Sequence, residues 1–467
     1  IIYTDKGTWT YALGGSFMKK RTGLLMVFST LLVGATALSS CGGESKFQPD
    51  QRVIDAVKDA EQLSHDELFK KAAEELGTTG KVKILATTSR GGKEKVVNLF
   101  KSELQKYNKD IQDPIAYDTT VDGLIYTTLG EEINAGVKDG YSGTITQDGY
   151  QLQKKGIDTG HYVNYVPKTW KDDKDTNKET DSNPFTLQYN FKTWMYNNKD
   201  GKTVINNVWD VTDSSFKGRI DTMDPRNENV NMDWLIQLTD DTQNSELKAA
   251  YEDSTNSSDV NVENYSSYGD KKYAYAFIDK FLTNAVFYAD DGEAINHLSK
   301  TPGNVGWIVY SKLLKVEETN EISKKNIVVA ALGTENTDGA TMGASKIKGF
   351  GGFMYKHYLQ VLPYAKYPYA TCAFFELIST NATAYSVWGG DVGDYPTMPS
   401  INADRTKNGQ VKNEAGEVVD NMPCLNDPTS TWWINQAKAV VETPSYIGAN
   451  YETVIEAIEK SIANKGK

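Results

Sequence analysis

Cysteine and histidine are scarce, with three and four residues respectively in a chain of 467. Three cysteines cannot build a disulfide scaffold, and no Cys-x-x-Cys pair offers a zinc site. The histidines, His65, His161, His297 and His357, stand apart from one another, and none belongs to a His-Glu-x-x-His helix motif. Basic charge is also in deficit: 50 Lys+Arg against 62 Asp+Glu leave a net charge of −12. That balance argues against nucleic acid or an anionic lipid surface as the main partner, since both call for a basic face. Neither a Gly-x-Ser-x-Gly elbow nor a phosphate-binding P-loop is present. No repeat of solenoid period is visible. What the chain does have is 39% apolar residues, enough for sizeable cores, over a length for which two domains is the default.

The N-terminus reads as an address. Met18 is followed by Lys19, Lys20 and Arg21, then by 19 uncharged residues from Thr22 to Ser40. A basic segment followed by an apolar one is a secretion signal. The run ends in Leu38-Ser39-Ser40-Cys41, with Gly42-Gly43 and a polar tether after it. This resembles the lipobox of bacterial lipoproteins, which implies that Cys41 is lipidated and becomes the mature N-terminus. A retained membrane span is the alternative, because ~20 apolar residues cross a bilayer. The terminal Cys with small neighbours favours the lipobox. Residues 1–17 then read as upstream translated sequence. Removing residues 1–40 takes away a net charge of +3 and leaves −15. Of the other two cysteines, Cys372 sits in an apolar helical pattern as a small buried residue. A Cys372–Cys424 disulfide is left open at this point.

Beyond the tether, Asp50 to Gly77 is helical and amphipathic, with a Ser64/Glu67 capping box. A short strand over residues 81–86 runs into the turn Thr87 to Gly92. Val96, Val97, Phe100, Leu104 and Tyr107 then recur at helical spacing. Further strands are expected near 143–146, 185–196, 218–223, 305–310 and 327–332. Helices are expected near 124–134, 234, 247, 273–282, 367–379 and 451–463. Residues 170–183 read as a polar loop and residues 403–420 as a polar insertion with an Asn408-Gly409 turn. Strands alternating with helices predict an α/β fold of two lobes.

Several segments in order are similar to family 1 extracellular solute-binding proteins of ABC importers, especially the ferric-iron, thiamine and polyamine branch. They are Leu63 to Leu68 leading to Thr88-Ser89-Arg90, Trp209 to Asp213 with Phe216 to Ile220, Asp224-Pro225, Gly306 to Tyr310, Tyr367 to Ala370, and Gly393-Asp394-Tyr395. The resemblance spans roughly residues 60–400. It implies a two-lobed type II periplasmic-binding-protein fold in which the chain passes from one lobe to the other and back. The implied layout is a signal over 18–40, tether and helix over 41–80, first lobe over 81–187, second lobe over 188–326, and a return over 327–467. Crossings are expected near Phe185 to Tyr189 and Ile327 to Ala330.

The foremost candidate site is the loop holding Ser89, Arg90 and Gly91. It lies where a strand's carboxyl end meets a helix N-terminus, and Arg90 adds a bidentate fork suited to a carboxylate, phosphate or phosphonate. The alternative is a plain turn with Arg90 solvated. Gln147 and Asp148 follow a strand in the same way; Asp148 either accepts hydrogen bonds from a ligand or caps the next helix. Asp224 carries the same two readings. Trp307 and Tyr310 lie on or beside a strand, as flat aromatics for a sugar, heterocycle or organic cation, or as core. The ferric branch uses adjacent tyrosines there, but no two of the 27 tyrosines are adjacent. Asp173, Asp175 and Asn177 begin like a calcium loop that Lys178 and Pro184 then break.

The expectation is therefore a solute-binding lipoprotein, lipid-anchored outside the cytoplasmic membrane by Cys41, that closes on a small solute and docks on the transmembrane subunits of an ABC permease. No catalysis, cofactor, metal or nucleic acid is expected, and a monomer is. A surface-anchored polysaccharide hydrolase is the rival.

Overall fold

The computed structural model describes residues 48–254, 260–313, 326–333, 343–389, 392–402, 411–412, 418–419 and 427–465. Residues 1–17, the signal with Cys41, Cys424 and the Asn408-Gly409 turn lie outside them. The expected helix over 50–77 is two helices, α1 (Gln51–Ala60) and α2 (His65–Leu76). Their break is the capping box itself: the Ser64 side chain accepts from the Glu67 amide, while Glu67 reaches back to the Ser64 amide. The next unit is β1 (Val82–Ala86), the Arg90 turn and α3 (Glu94–Gln105); of the expected stripe Val96, Phe100 and Leu104 are buried, Val97 is half-buried, and Tyr107 lies exposed beyond the helix end. β2 (Ile115–Thr119), α4 (Asp122–Asn134) and β3 (Gly143–Thr146) complete a parallel set in which β1 pairs with both β2 and β3.

After the two-residue β4 (Val163–Asn164), β5 (Thr186–Asn197) carries the chain away for twelve residues, all of them buried. A second parallel set follows: β6 (Ile220–Met223), α5 (Asn229–Gln237), α6 (Lys272–Asn284), β7 (Ala285–Tyr288), α7 (Asp291–Lys300) and β8 (Val305–Val309). β6 pairs in parallel with β7 and β8. β9 (Ile327–Val329) pairs with the far end of β5, at Met195 to Asn197. The chain returns along β10 (Gly352–Val361), antiparallel to β5 and to β3, into α8 (Pro368–Thr380), β11 (Tyr395–Pro396) and the C-terminal α9 (Pro444–Asn464). The strand order is thus β2-β1-β3-β10-β5-β8-β6-β7. Two parallel sets are joined through one antiparallel central pair.

Each parallel set has its own core. Phe69, Val96, Phe100, Phe374 and Leu359 belong to one, and Trp194, Trp234, Phe277, Trp307 and Phe350 to the other. β5 runs from one core to the other, with Leu187 in the first and Tyr189 in the second. The return differs from expectation. Ile327 to Ala330 packs wholly in the second core, and the passage back is made by β10, with Tyr355 in one core and Leu359 in the other. A strand of three residues is too short to span two cores; a ten-residue strand does.

His65, isolated in sequence, is not isolated in space. Its Nδ1 lies 3.0 Å from Glu376 Oε2 on α8 and its Nε2 lies 3.2 Å from Glu103 Oε2 on α3. The Glu376 hydrogen bond, opposed by burial and helped by Glu103, raises the imidazolium to about 9. The folded value lies above the unfolded one, so the stabilisation is complete below pH ~6.5 and is lost as pH rises through about 9. At about one-third exposure, screening leaves on the order of 1–2 kcal/mol. Urea unfolding at pH 6 and pH 10 should show the wild type losing that much more than His65→Gln; equal losses would refute the linkage.

Candidate functional site

The central pair positions the site. In the β5–β10 register Gln188 faces His357, Asn190 faces Tyr355 and Lys192 faces Phe353. Side chains alternate along a strand and opposed residues share a face, so Gln188, Asn190, Lys192, Tyr355 and His357 form one polar floor. Each is at least nine-tenths buried. Burying five polar side chains on two central strands is costly unless they are hydrogen-bonded, and nearly all are.

On the side of the first core, Gln188 Nε2 donates to Asn190 Oδ1 at 2.7 Å and to His357 Nδ1 at 3.2 Å. His357 Nε2 lies 3.0 Å from Gln147 Oε1, in the turn after β3. Burial, with the Arg90 charge nearby, lowers the His357 imidazole to about 3, so it is neutral. The tautomer protonated on Nε2 satisfies both contacts. The Tyr385 hydroxyl donates to Gln188 Oε1 at 3.0 Å, and Asn190 Nδ2 donates to Asp394 Oδ1 at 2.5 Å. Asp394, fully buried, pairs through its other oxygen with Arg90. On the side of the second core, Lys192 Nζ lies 3.1 Å from Glu228 Oε2, 3.0 Å from Asn231 Oδ1 and 3.5 Å from Asp291 Oδ2. Burial works against its charge, but Asp291 and Glu228 hold the ammonium above the usual lysine value. Tyr355 sits between the two sides, near Asp291, Asp394, Glu228 and Arg90. Burial and those carboxylates push its phenol up, so it stays protonated. Its hydroxyl makes no hydrogen bond among the described residues.

The expected site residues divide. Arg90 and Gln147 join the floor. Arg90, expected to offer its fork to an anion, is already paired with Asp394. Ser89 is exposed on the same turn and its side chain caps nothing. Gly91 is buried, and a Cβ there would stand 2.7 Å from the Tyr117 ring. Asp148 takes the capping role: it accepts from the Gln151 amide at 2.8 Å and the Gln151 side chain at 2.6 Å, and Asn229 at the start of α5 donates to it as well. Burial raises its carboxyl. Asp224 is not the N-cap of α5; Glu228 is, and Asp224 instead holds Arg226 through three side-chain contacts. Trp307, expected as a platform or as core, is core: fully buried, it stacks on Trp234 at 4.1 Å and 25°. Tyr310 is buried too, 5.5 Å from the Trp433 ring and against Gly393, beside Asp394.

Sequence reasoning missed Gln188, Asn190, Lys192, Tyr355, His357 and Asp394. A signal existed: polar residues at alternate positions of an otherwise apolar strand, Gln188-x-Asn190-x-Lys192. Among the described residues no group of three or more His, Cys, Asp or Glu side chains is placed to hold a metal ion, and no helix is long and apolar enough to cross a membrane.

No protein-family model and no curated protein matches the sequence. Solved structures do match. FutA (IdiA) from Trichodesmium, in complex with iron and citrate, aligns with a TM-score of 0.51 at 12% identity, over 82% of this chain and 99% of that one. The ferric binding protein from Campylobacter jejuni aligns at 0.52 and 10%, again over 82% and 99%. Iron-bound HitA from Pseudomonas aeruginosa aligns at 0.50 and 12% over the same shares. Two parallel strand sets joined by an antiparallel central pair are accordingly the two-lobed α/β fold of periplasmic binding proteins.

Proposed function

We propose that this chain is an extracytoplasmic solute-binding protein of an ABC importer, tethered to the membrane by lipid on Cys41. It captures a small polar solute between its lobes and presents the closed form to a permease. The observation that carries this reading is the buried polar floor on the two strands that cross between the cores, with an unpartnered Tyr355 hydroxyl at its centre. A solute that hydrogen-bonds there and touches Arg90 or Gln147 on one side and the Glu228 and Asp291 ends of α5 and α7 on the other would favour the closed state over the open one. That difference in affinity is all the mechanism needs, and no chemical step is involved. The polysaccharide-hydrolase alternative has no support from the matching structures.

The iron seen in the FutA and HitA structures heads the solutes to test, followed by thiamine, polyamines, phosphonates and oligosaccharides. A true solute should raise the melting temperature and shrink the radius of gyration in solution scattering. Tyr355→Phe should weaken both responses by about tenfold in solute concentration, one hydrogen bond's worth. Scattering that stays unchanged under every solute, or polysaccharide cleavage, would overturn the proposal.

A further inference from the structure

Away from the floor, a pocket of about 190 Å³ opens between α4 and the segment after β3. Its wall is apolar and aromatic: Leu129, Ile133 and Tyr126 are buried, and the Tyr162 ring stands 6.3 Å from that of Tyr126. A cavity of ~150 Å³ accommodates one benzene ring, so the space suits a single ring or a short branched chain. Its rim is cationic. Lys154 and Lys155 are exposed at the mouth, His161 is half-buried beside them, and no carboxylate lines the pocket. Lys154 has a solvent-exposed partner in Asp158 at 3.4 Å. Lys155 Nζ bonds only the neutral Gln151 Oε1, at 2.6 Å, and makes no ion pair among the described residues. Asp122 and Asp148 lie behind the tyrosines rather than in the lining; burial raises both carboxyls, while the Lys155 charge acts on Asp148 in the opposite sense. Burial lowers the His161 imidazole, leaving the lysines as the source of positive potential.

Two backbone features keep this space open. Residues Leu152–Ile157 form a π-helix, a wide turn that is frequent at functional sites. Within it a Cβ on Gly156 would lie 2.3 Å from the Tyr162 ring, so only glycine admits that ring as a wall. On the other side, Gly130 sits inside α4, where glycine is a poor helix former. A Cβ there would meet nothing within 4 Å. Packing does not require glycine at 130, and because Gly130 lines the pocket a long side chain there competes for its space.

We propose that this pocket is a second binding site, separate from the floor of β5 and β10, for a small carboxylate with an apolar body. The body rests on Leu129, Ile133 and Tyr162, and the carboxylate meets Lys155 at the mouth.

The probe is 4-fluorobenzoate, followed by fluorine NMR on the full chain, with 4-fluorobenzyl alcohol as its uncharged counterpart. The acid should bind in fast exchange and at least tenfold more tightly than the alcohol. Lys155→Met should weaken it about tenfold. Gly130→Met should abolish binding with no loss of melting temperature, which separates a filled pocket from a misfolded chain. Tyr355→Phe should leave binding unchanged, since that residue serves the floor. The assignment is overturned if the wild type does not bind the acid, if the alcohol binds as well, if Gly130→Met still binds, or if Tyr355→Phe alone removes binding.

Discussion

Replacing Lys192 with methionine should lower the free energy of unfolding by about 3–5 kcal/mol, the usual consequence of removing one partner from a buried ion pair. The lysine is fully buried in the middle of β5, so its ammonium is neutralised by protein groups alone. Glu228, Asn231 and Asp291 surround it within 3.5 Å. Methionine keeps the length and the packing of the stem but leaves two carboxylates facing each other without the cation. Burial already raises the Glu228 carboxyl against the pull of Lys192. Without that pull it rises further, and the variant can relieve the repulsion by taking up a proton. The loss should therefore be greater at pH 8 than at pH 5. Urea unfolding at the two pH values measures both effects, and Glu228→Gln added to Lys192→Met should recover part of the loss. A cost below about 1 kcal/mol, equal at both pH values, would show that the lysine is solvated rather than buried.

Trp307→Ala should cost about 3–5 kcal/mol, as removal of a large aromatic from a closed core does. Trp307 stacks on Trp234, lies 4.6 Å from the Trp194 ring and meets Phe350 edge-on at 6.0 Å. None of the three indole N–H groups in this cluster finds an acceptor among the described residues. The cluster is held by ring packing and not by hydrogen bonds, so Trp307→Phe, which keeps a ring and gives up an unpaired donor, should cost markedly less than the alanine change. Denaturant midpoints for the two variants test the ordering. Unchanged midpoints in both variants would contradict the core role that its burial and stacking give it.

These two residues show where reading the chain succeeds and where it stops. In sequence Trp307 fits a platform or a core equally, because alternation tells that a side chain points to a face but not what covers that face. Lys192 is not legible in the same way, because a lysine between Phe191 and Thr193 in a long strand gives no hint of three polar partners. Asp148 fits a ligand contact or a cap in sequence, and in the fold it caps its own helix start. Asp224 failed the same test because Glu228, four residues on, holds the amide that matters.

By itself the sequence determined what depends on neighbours within a few residues. It specified the Ser64–Glu67 box, the buried stripe of α3, the strand-turn-helix units and the alternation that makes an α/β fold of two lobes. Only the tertiary structure decided which strand carries the chain back, that Arg90 is neutralised by Asp394 at a separation of 304 residues, and that Gln188 meets His357 at a separation of 169. Local propensity and periodicity act over one or two turns of chain. A buried polar floor is stable only when packing brings its hydrogen-bond partners together, and that condition is met by the whole fold at once.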